Sequence, residues 1–505
     1  MQKINNALIS VYYKETLKSV VEKLHELNVQ IFSTGGTWDY INNLNIPVEK
    51  VESLTSYPSI LGGRVKTLHP KIFGGILARR EVENDKDQLK EYDIPEIDLV
   101  IVDLYPFEET IAATDNEEEI IEKIDIGGIS LIRAAAKNYR DVLVISHSGQ
   151  YQNLIELLDS KKGYTSIEDR KSFAMEAFDV SSHYDTAIFN YFNRDKQLIR
   201  FKQSIAISKS LRYGENPHQE GKFFGKIDEV FEQLNGKEIS YNNLVDIDAA
   251  INLIKEFDET TFAIIKHTNA CGLACRDILN NAWKDALAGD PASAFGGVYI
   301  TNRTIDETTA EEINKMFFEV ILAPGYEKNA LELLKSRKNR IILQLKSVDL
   351  PFFQYKSVLN GAIMQAKDLR KEVPGDLKTV TKNSPTEREI EDLLFANILV
   401  KNTKSNAIVL AKNKQLVGSG IGQTSRVDAL KQAIAKAKEF KFDLNGAVMA
   451  SDAFFPFADS VEIAHKEGIN AVIQPGGSIR DEDSINFCNE HQMSMVFTGI
   501  RHFKH

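Results

Sequence analysis

Lys266 and His267 stand side by side directly after the apolar run Phe262 to Ile265, and Thr268-Asn269-Ala270-Cys271-Gly272 follows them. An ammonium and an imidazole at the carboxyl end of a buried strand form a proton-transfer pair, and the Thr, Asn and Gly beyond them read as polar loop. Neighbouring residues on a continuing strand point to opposite faces, so both heads serve one substrate only if the backbone turns at or just after Lys266. The competing reading is a snorkelling lysine beside a core histidine. Earlier in the chain, Ser33-Thr34-Gly35-Gly36-Thr37 joins a strand to a helix. Its hydroxyls and amides either hold a phosphate or build a tight turn with a threonine N-cap. Gly62-Gly63-Arg64-Val65-Lys66-Thr67-Leu68-His69-Pro70-Lys71 concentrates cations and glycines within an acidic chain, as a binding loop or a solvated basic one. Tyr105 sits where an apolar strand ends, as a proton or hydrogen-bond donor or as an edge anchor. Asp125 in Ile124-Asp125-Ile126-Gly127-Gly128 precedes a helix carrying Arg133 and Lys137, so a carboxylate and an ammonium could converge on one mouth. The plainer reading is a carboxylate stabilising a helix dipole.

Several chemistries fail on spacing. His267, Cys271 and Cys275 resemble a metal tract, but the His-x-Glu and Pro-Cys-x-x-Cys of a zinc deaminase are missing, and no catalytic metal is expected. No Walker loop and no Gly-x-Ser-x-Gly elbow stand where ATP hydrolysis or esterase chemistry would need them. Cys271 as a nucleophile stays open because His267 is near, although no residue marks an activated thiolate. Lys plus Arg total 61 against 72 for Asp plus Glu, and the net charge of -11 speaks against a nucleic-acid partner. Anionic ligands must then be met by confined basic clusters. Three cysteines are too few for a disulfide framework and point to a reducing, cytoplasmic setting. The N-terminal residues lack a signal peptide's apolar stretch and no run of about 18 apolar residues occurs, so no membrane partner is expected.

The elements that position these groups follow from periodicity. At 505 residues the chain predicts two or three domains. Strands are expected at Ala7 to Val11, Val29 to Ser33, Ile97 to Leu104 and Val142 to Ser146. Helical spacing covers Leu17 to Leu27, Trp38 to Asn45 and Phe173 to Phe192. Such alternation predicts a mostly parallel sheet covered on both faces. A polar stretch after Phe192 places the boundary near residue 200, giving domains 1–199 and 200–505. The second part offers strands at Phe262 to Ile265, Ile341 to Leu345, Ala407 to Ala411, Ala447 to Ala450, Ala471 to Gln474 and Met495 to Thr498. Residues 366–385, charged and poor in large apolar side chains, read as a connector between two halves. Asp290 and Asp452, each followed five residues on by Phe, hint at a duplication.

Eight collinear motifs carry a resemblance that spans the whole chain. Ser33 to Thr37, Gly63 to Lys71, Asp103-Leu104-Tyr105-Pro106-Phe107 and Asp125 to Gly128 are similar to the cyclohydrolase half of the bifunctional purine-biosynthesis enzymes. Leu211 to Gln219, Lys266 to Gly272, Ser451 to Phe457 and Arg501 to His505 resemble the transformylase half of that family. The resemblance implies an α/β protein with a Rossmann-like, methylglyoxal-synthase-like N-terminal domain and a duplicated C-terminal region resembling cytidine deaminase without its metal. It implies formyl transfer from 10-formyltetrahydrofolate, a co-substrate, to aminoimidazole carboxamide ribonucleotide (AICAR), then dehydrative closure of formyl-AICAR to inosine monophosphate (IMP). Lys266, His267 and Asn406 would act in the transfer, and Lys66, Tyr105, Asp125 and Lys137 in the closure. Ser10, Lys14, Ser33, Thr34, Gly35, Gly36, Thr37, Arg64 and Thr67 would bind nucleotide in the first domain. In the second, that role would fall to Arg212, Tyr213, Gly296, Glu319, Arg426, Phe454, Arg501 and His505, with Asp459, Gly477 and Ser478 facing folate. Glu319 and Ala458 depart from relatives that carry Asp and Arg there. The resemblance further implies a homodimer whose transformylase sites draw on both subunits, and leaves room for a monovalent cation. Two other classes are a nucleotide-binding regulator on a catalytically inactive version of the fold, and a nucleobase deaminase, which would hold zinc.

Overall fold

The computed structural model describes residues 1–347 and 349–505. Two compact units divide the chain, Met1–Ala206 and Ile207–His505. The first is built on a five-stranded parallel sheet, in spatial order Glu49–Lys50, Gln30–Ser33, Asn6–Ser10, Leu99–Val102 and Leu143–Ile145. Leu99–Val102 is buried throughout, the continuous apolar run of a strand covered on both sides. Side-chain alternation divides the interior, so that Ile9 packs with Leu24, Ile31 and Ile145 while Leu8 packs with Val100, Leu131 and Ala177. The chain leaves Asn6–Ser10 towards one side and later fills the other, so a crevice opens beyond the ends of Ser10, Ser33 and Val102.

Two helices differ from expectation at their starts. The helix expected from Trp38 begins at Gly35, which makes the glycine pair its first turn. The one expected from Phe173 runs over Ile167–Phe192, begun by a reciprocal Ser166/Asp169 cap.

The second unit contains the same topology twice. Its first sheet runs Phe231–Asn235, Ile341–Leu345, Val320–Ala323, Val298–Thr301, Thr261–Lys266, Asn269–Cys275. The other runs Lys378–Thr379, Ser494–Phe497, Ala471–Gln474, Val448–Ser451, Ile408–Ala411, Leu416–Gly420. Counted in chain order, both read 1-6-5-4-2-3, with three antiparallel and two parallel pairings at matching places. Even a bulge recurs, between Ile264 and Ile265 and again, 146 residues on, between Leu410 and Ala411. The duplication is therefore present, but the Asp-Phe pair is not its signature. Asp290 precedes the fourth strand of its half, whereas Asp452 follows the fourth strand of the other.

Short strands escaped periodicity, namely Asn269–Cys275, Val298–Thr301, Val320–Ala323 and Leu416–Gly420. Gly272 and Gly418, at equivalent places on two of them, let a helix approach closely, because a Cβ would run into the Ala286 or Ala433 carbonyl. The two sheets meet through a bridge between Ala274 and Gln415 and share one core in which Val298 and Leu322 join Val409 and Val448. The stretch between the sheets begins earlier than expected, with an exposed hairpin of Phe353–Val358 and Gly361–Ala366, and Lys378–Thr379 already belongs to the second sheet.

Candidate functional sites

The backbone turns directly after Lys266. Thr261–Lys266 and Asn269–Cys275 are antiparallel partners with Lys266 opposite Asn269, so only His267 and Thr268 form the turn. The expected polar loop is thus a two-residue hairpin, corrected by the pairing of Asn269–Cys275 as a strand. Both turn residues take positive φ, 48° and 66°, the geometry that suits the twist of paired strands. Hydrogen bonds hold it: the Thr268 amide donates to Asp246 Oδ1 at 2.7 Å, and Asn269 Nδ2 donates to the His267 carbonyl at 2.7 Å.

Because of that turn, Lys266 and His267 line one cleft of about 260 Å³. His267 is exposed, and Lys266 Nζ donates to the Phe295 carbonyl at 2.8 Å. Gly296, at φ 69°, places its Cα beside that ammonium. Across the cleft Lys436 is paired with Asp290 at 2.6 Å. Sequence reasoning missed Lys436 and Asp246, since each acts across a fold that brings distant segments together. Burial pushes the Cys271 thiol up to about 12, which removes the thiolate that a cysteine nucleophile requires. Among the described residues no three His, Cys, Asp or Glu side chains gather as a metal-sized group.

Asn406 belongs to an adjoining cluster. Its Oδ1 accepts from Arg426 Nη2 at 3.0 Å, and the same guanidinium meets the fully buried Asp452 at 2.6 Å and the Phe454 carbonyl at 3.2 Å. Arg426 Nε is buried without a partner among the described residues. Two contacts tie this cluster to the cleft. The Lys404 amide donates to Asn269 Oδ1 at 2.9 Å, and the backbones of Asn406 and Gln423 pair beside Ile421, a cleft-lining residue.

The C-terminal tail lies against the same cluster. Ser405 and Lys504 exchange hydrogen bonds, and the His502 amide donates to the Asp452 carbonyl at 3.0 Å. Arg501 and His505 each lie by the Phe503 ring. Between them His502 is buried, with Asp368 at 2.6 Å and Glu372 at 3.2 Å.

These carboxylates outweigh burial and raise the His502 pKa to about 9. The folded value lies above the unfolded one, so the stabilisation is complete below about 6.5 and is lost as pH rises through about 9. At about 1.4 kcal/mol per unit this amounts to as much as about 3 kcal/mol. A His502→Asn variant is expected to melt well below the wild type at pH 6.5, with the gap narrowing by pH 10; a constant gap would rule out stabilisation by this ion pairing.

Other expected binding residues are held elsewhere. The Glu319 side chain is paired with Lys237 at 2.5 Å, and its amide donates to the Gly297 carbonyl at 3.1 Å. Arg212 stacks on Tyr213 and donates to its hydroxyl in an exposed segment, and neither is among the residues lining the Lys266 cleft. The Gly477 and Ser478 amides are taken by Asp481, at 2.7 and 3.1 Å, while Asp459 opens a helix and accepts from the Ser460 amide.

In the first unit the glycine turn, the basic loop, Tyr105 and Asp125 come together. A Cβ on Gly35 or Gly63 would lie 3.8 Å from Lys66 Nζ, and one on Gly36 would lie 3.8 Å from the Lys14 side chain. Thr34 begins the helix without capping it through its side chain, leaving the first-turn amides beside these cations. Its hydroxyl bonds Ser10 at 2.9 Å. Ser33 and Thr37 differ from expectation, since their hydroxyls turn inward to the Ile9 and Val11 carbonyls at 2.7 and 2.9 Å. Arg64 faces Glu122, and Thr67 is buried against Gly127.

Burial raises the Asp125 pKa above the usual carboxylate range, opposed by the Gly128 amide and Lys66. Burial and Asp125 raise that of Tyr105, which keeps its phenol protonated. Tyr184, on the long helix Ile167–Phe192, fixes this segment of the mouth by accepting from the Asp125 amide and donating to the Lys123 carbonyl. Lys137 does not join the set. It is the last residue of Gly127–Lys137, about 15 Å along the helix axis from its start, which places it towards the opposite end of the sheet.

A family model described as "AICARFT/IMPCHase bienzyme" matches residues 135–436, and one described as "MGS-like domain" matches residues 16–130. The chain is 62% identical over 504 residues to the bifunctional purine biosynthesis protein PurH of Bacteroides thetaiotaomicron, covering 100% of this chain and 99% of that one. It is 46% identical over 509 residues to the PurH of Aquifex aeolicus, covering 99% and 100%. Against the PurH of Caldicellulosiruptor saccharolyticus it is 46% identical over 515 residues, covering 99% of each.

Proposed function

Since the chain belongs to the AICARFT/IMPCHase bienzyme family, and is a bifunctional enzyme of purine biosynthesis with AICAR transformylase and IMP cyclohydrolase activities, we propose which side chains carry each step. Formyl transfer falls to the second unit, with 10-formyltetrahydrofolate as donor. The AICAR amine is a weak nucleophile because its lone pair is delocalised into the imidazole ring, so it needs a base as it attacks. His267 takes that proton; Lys266 stabilises the oxyanion that develops on the formyl oxygen and protonates the departing folate nitrogen. Asn406, held by Arg426, orients the formyl oxygen. The observation that carries this assignment is the turn that lets two consecutive residues line one cleft. A regulator on an inactive version of the fold draws no support from relatives named as biosynthetic enzymes.

Ring closure falls to the first unit. The carboxamide nitrogen attacks the formyl carbon, and the carbinolamine then loses water, so one group accepts a proton and another supplies one. Asp125, with its raised proton affinity, suits acceptance, while the Lys66 ammonium and the Tyr105 phenol are donors. The Thr34-to-Gly36 amides with Lys14 and Lys66 suit a phosphate.

An absorbance assay with AICAR and 10-formyltetrahydrofolate tests both steps together, expecting tetrahydrofolate and IMP in equal amounts; tetrahydrofolate without IMP would remove the closure assignment. A homodimer is supported by the hairpin at 353–366, whose Val358, Leu359, Ile363 and Met364 are exposed. Sedimentation is expected to give twice the 56.8 kDa chain mass, and a monomer would overturn it. Three free cysteines fit a cytoplasmic setting, and among the described residues no helix is long and apolar enough to cross a membrane.

A further inference from the structure

We propose that Asp246 is a positioning residue for formyl transfer, its carboxylate holding the turn from beneath so that Lys266 and His267 both face the cleft. The inference rests on the assignment of that pair made above.

A turn with two positive φ values is usually built from Asn and Gly, whereas here it is His267 and Thr268, and a β-branched residue is poorly suited to that region. Something outside the turn must hold it. The Asp246 carboxylate, on the helix Tyr241–Ile254, accepts from the Thr268 amide at 2.7 Å and is drawn electrostatically to both His267 and Lys266.

The duplicated half shows the same device without the chemistry. Asp392, 146 residues beyond Asp246, also lies six residues after its helix cap, Thr386 in place of Ser240. It accepts from the amides of Asn413 and Lys414, at 2.8 and 2.6 Å, in a turn whose φ values are 53° and 51°. There the counterpart of His267 is Asn413, which carries no titratable proton. The counterpart of Lys266 is Lys412, whose ammonium reaches the Asn445 carbonyl at 2.7 Å, as Lys266 reaches Phe295, but is also paired with Asp443 at 3.1 Å. Lys266 has no ion pair among the described residues. One half therefore keeps the turn and its aspartate with its lysine neutralised; the other keeps its lysine available beside a histidine.

This supplies a matched control. In the full-length chain, Asp246→Ala and Asp392→Ala remove the same turn acceptor, and only the first lies under the reacting pair. Formyl transfer is measured by kcat and KM, with cyclisation of supplied formyl-AICAR as an internal check on integrity. Asp246→Ala is expected to lower kcat for transfer about 10- to 100-fold through misplacement of the pair, with the AICAR KM changed by less than about threefold. Asp392→Ala is expected to leave kcat unchanged.

Equal loss in the two variants, or Asp246→Ala with wild-type kcat, would overturn the proposal. Should Asp246→Ala lose cyclisation as well, Asp246→Glu decides, because it keeps the carboxylate and moves the acceptor. Reduced kcat for transfer with cyclisation intact then supports positioning, and wild-type kcat refutes it. An active His267→Ala enzyme would sink the assignment of the pair itself, whereas a silent Asp246→Ala beside an inactive His267→Ala sinks only this inference.

Discussion

Formyl transfer by a Lys266→Ala variant is expected to fall by about 10² to 10⁴, the range lost when a positioned acid or oxyanion donor is removed, while ring closure of supplied formyl-AICAR continues at the wild-type rate. The size of the effect follows from where the ammonium sits. It is anchored by the Phe295 carbonyl at 2.8 Å in a cleft it shares with His267, and no carboxylate pairs with it among the described residues. A donor held in this way costs little reorganisation when charge develops on the formyl oxygen. Selectivity is the second half of the prediction. The first unit has its own core clusters and its own sheet, so a change at residue 266 leaves its mouth unaltered. Stopped-flow measurement of tetrahydrofolate release, beside cyclisation followed in the purine absorbance band, checks both halves. Loss of the two activities together would show that the units do not work independently, and an undiminished transfer would remove Lys266 from the chemistry.

Lys66→Ala is expected to produce the converse, with formyl-AICAR accumulating because cyclisation drops by roughly 10²-fold or more. Its ammonium lies beside Gly35 and Gly63 and lowers the proton affinity of Asp125, so it touches phosphate chemistry and proton chemistry at once. Removing it raises the Asp125 pKa further. The rate-against-pH curve for residual cyclisation should therefore move to higher pH, which a purely phosphate-binding lysine would not cause. Chromatography of the nucleotide products distinguishes the outcomes, and a variant that converts AICAR to IMP without build-up of the intermediate would refute the role.

Much of the site was legible because its residues sit where strands end. Phe262 to Ile265 announces a buried strand, and the titratable pair after it marks the strand's mouth. Ser33 to Thr37 and Asp103 to Phe107 follow strands in the same way. Lys137 was misplaced because a helix carries its last residue far from its first, which spacing in the sequence does not reveal. Ser33 and Thr37 were overvalued because composition counts hydroxyls without saying which way they point. The strand at Asn269–Cys275 was read as loop since small residues give no alternation, although its pairing with Thr261–Lys266 defines the hairpin.

By itself, then, the sequence determined the α/β class, the two-part division, the apolar strands and the chemical types gathered at their ends, because burial periodicity and turn chemistry are local properties of the chain. Only the tertiary structure decided that a two-residue turn points an ammonium and an imidazole into one cleft, and that an aspartate 22 positions away in sequence supports it. It also decided that Asp392 repeats that support beneath Asn413 and Lys414 in the other half. Hydrogen bonds between distant segments depend on register and helix placement, which are properties of the folded whole and leave no periodic trace in the residues that make them.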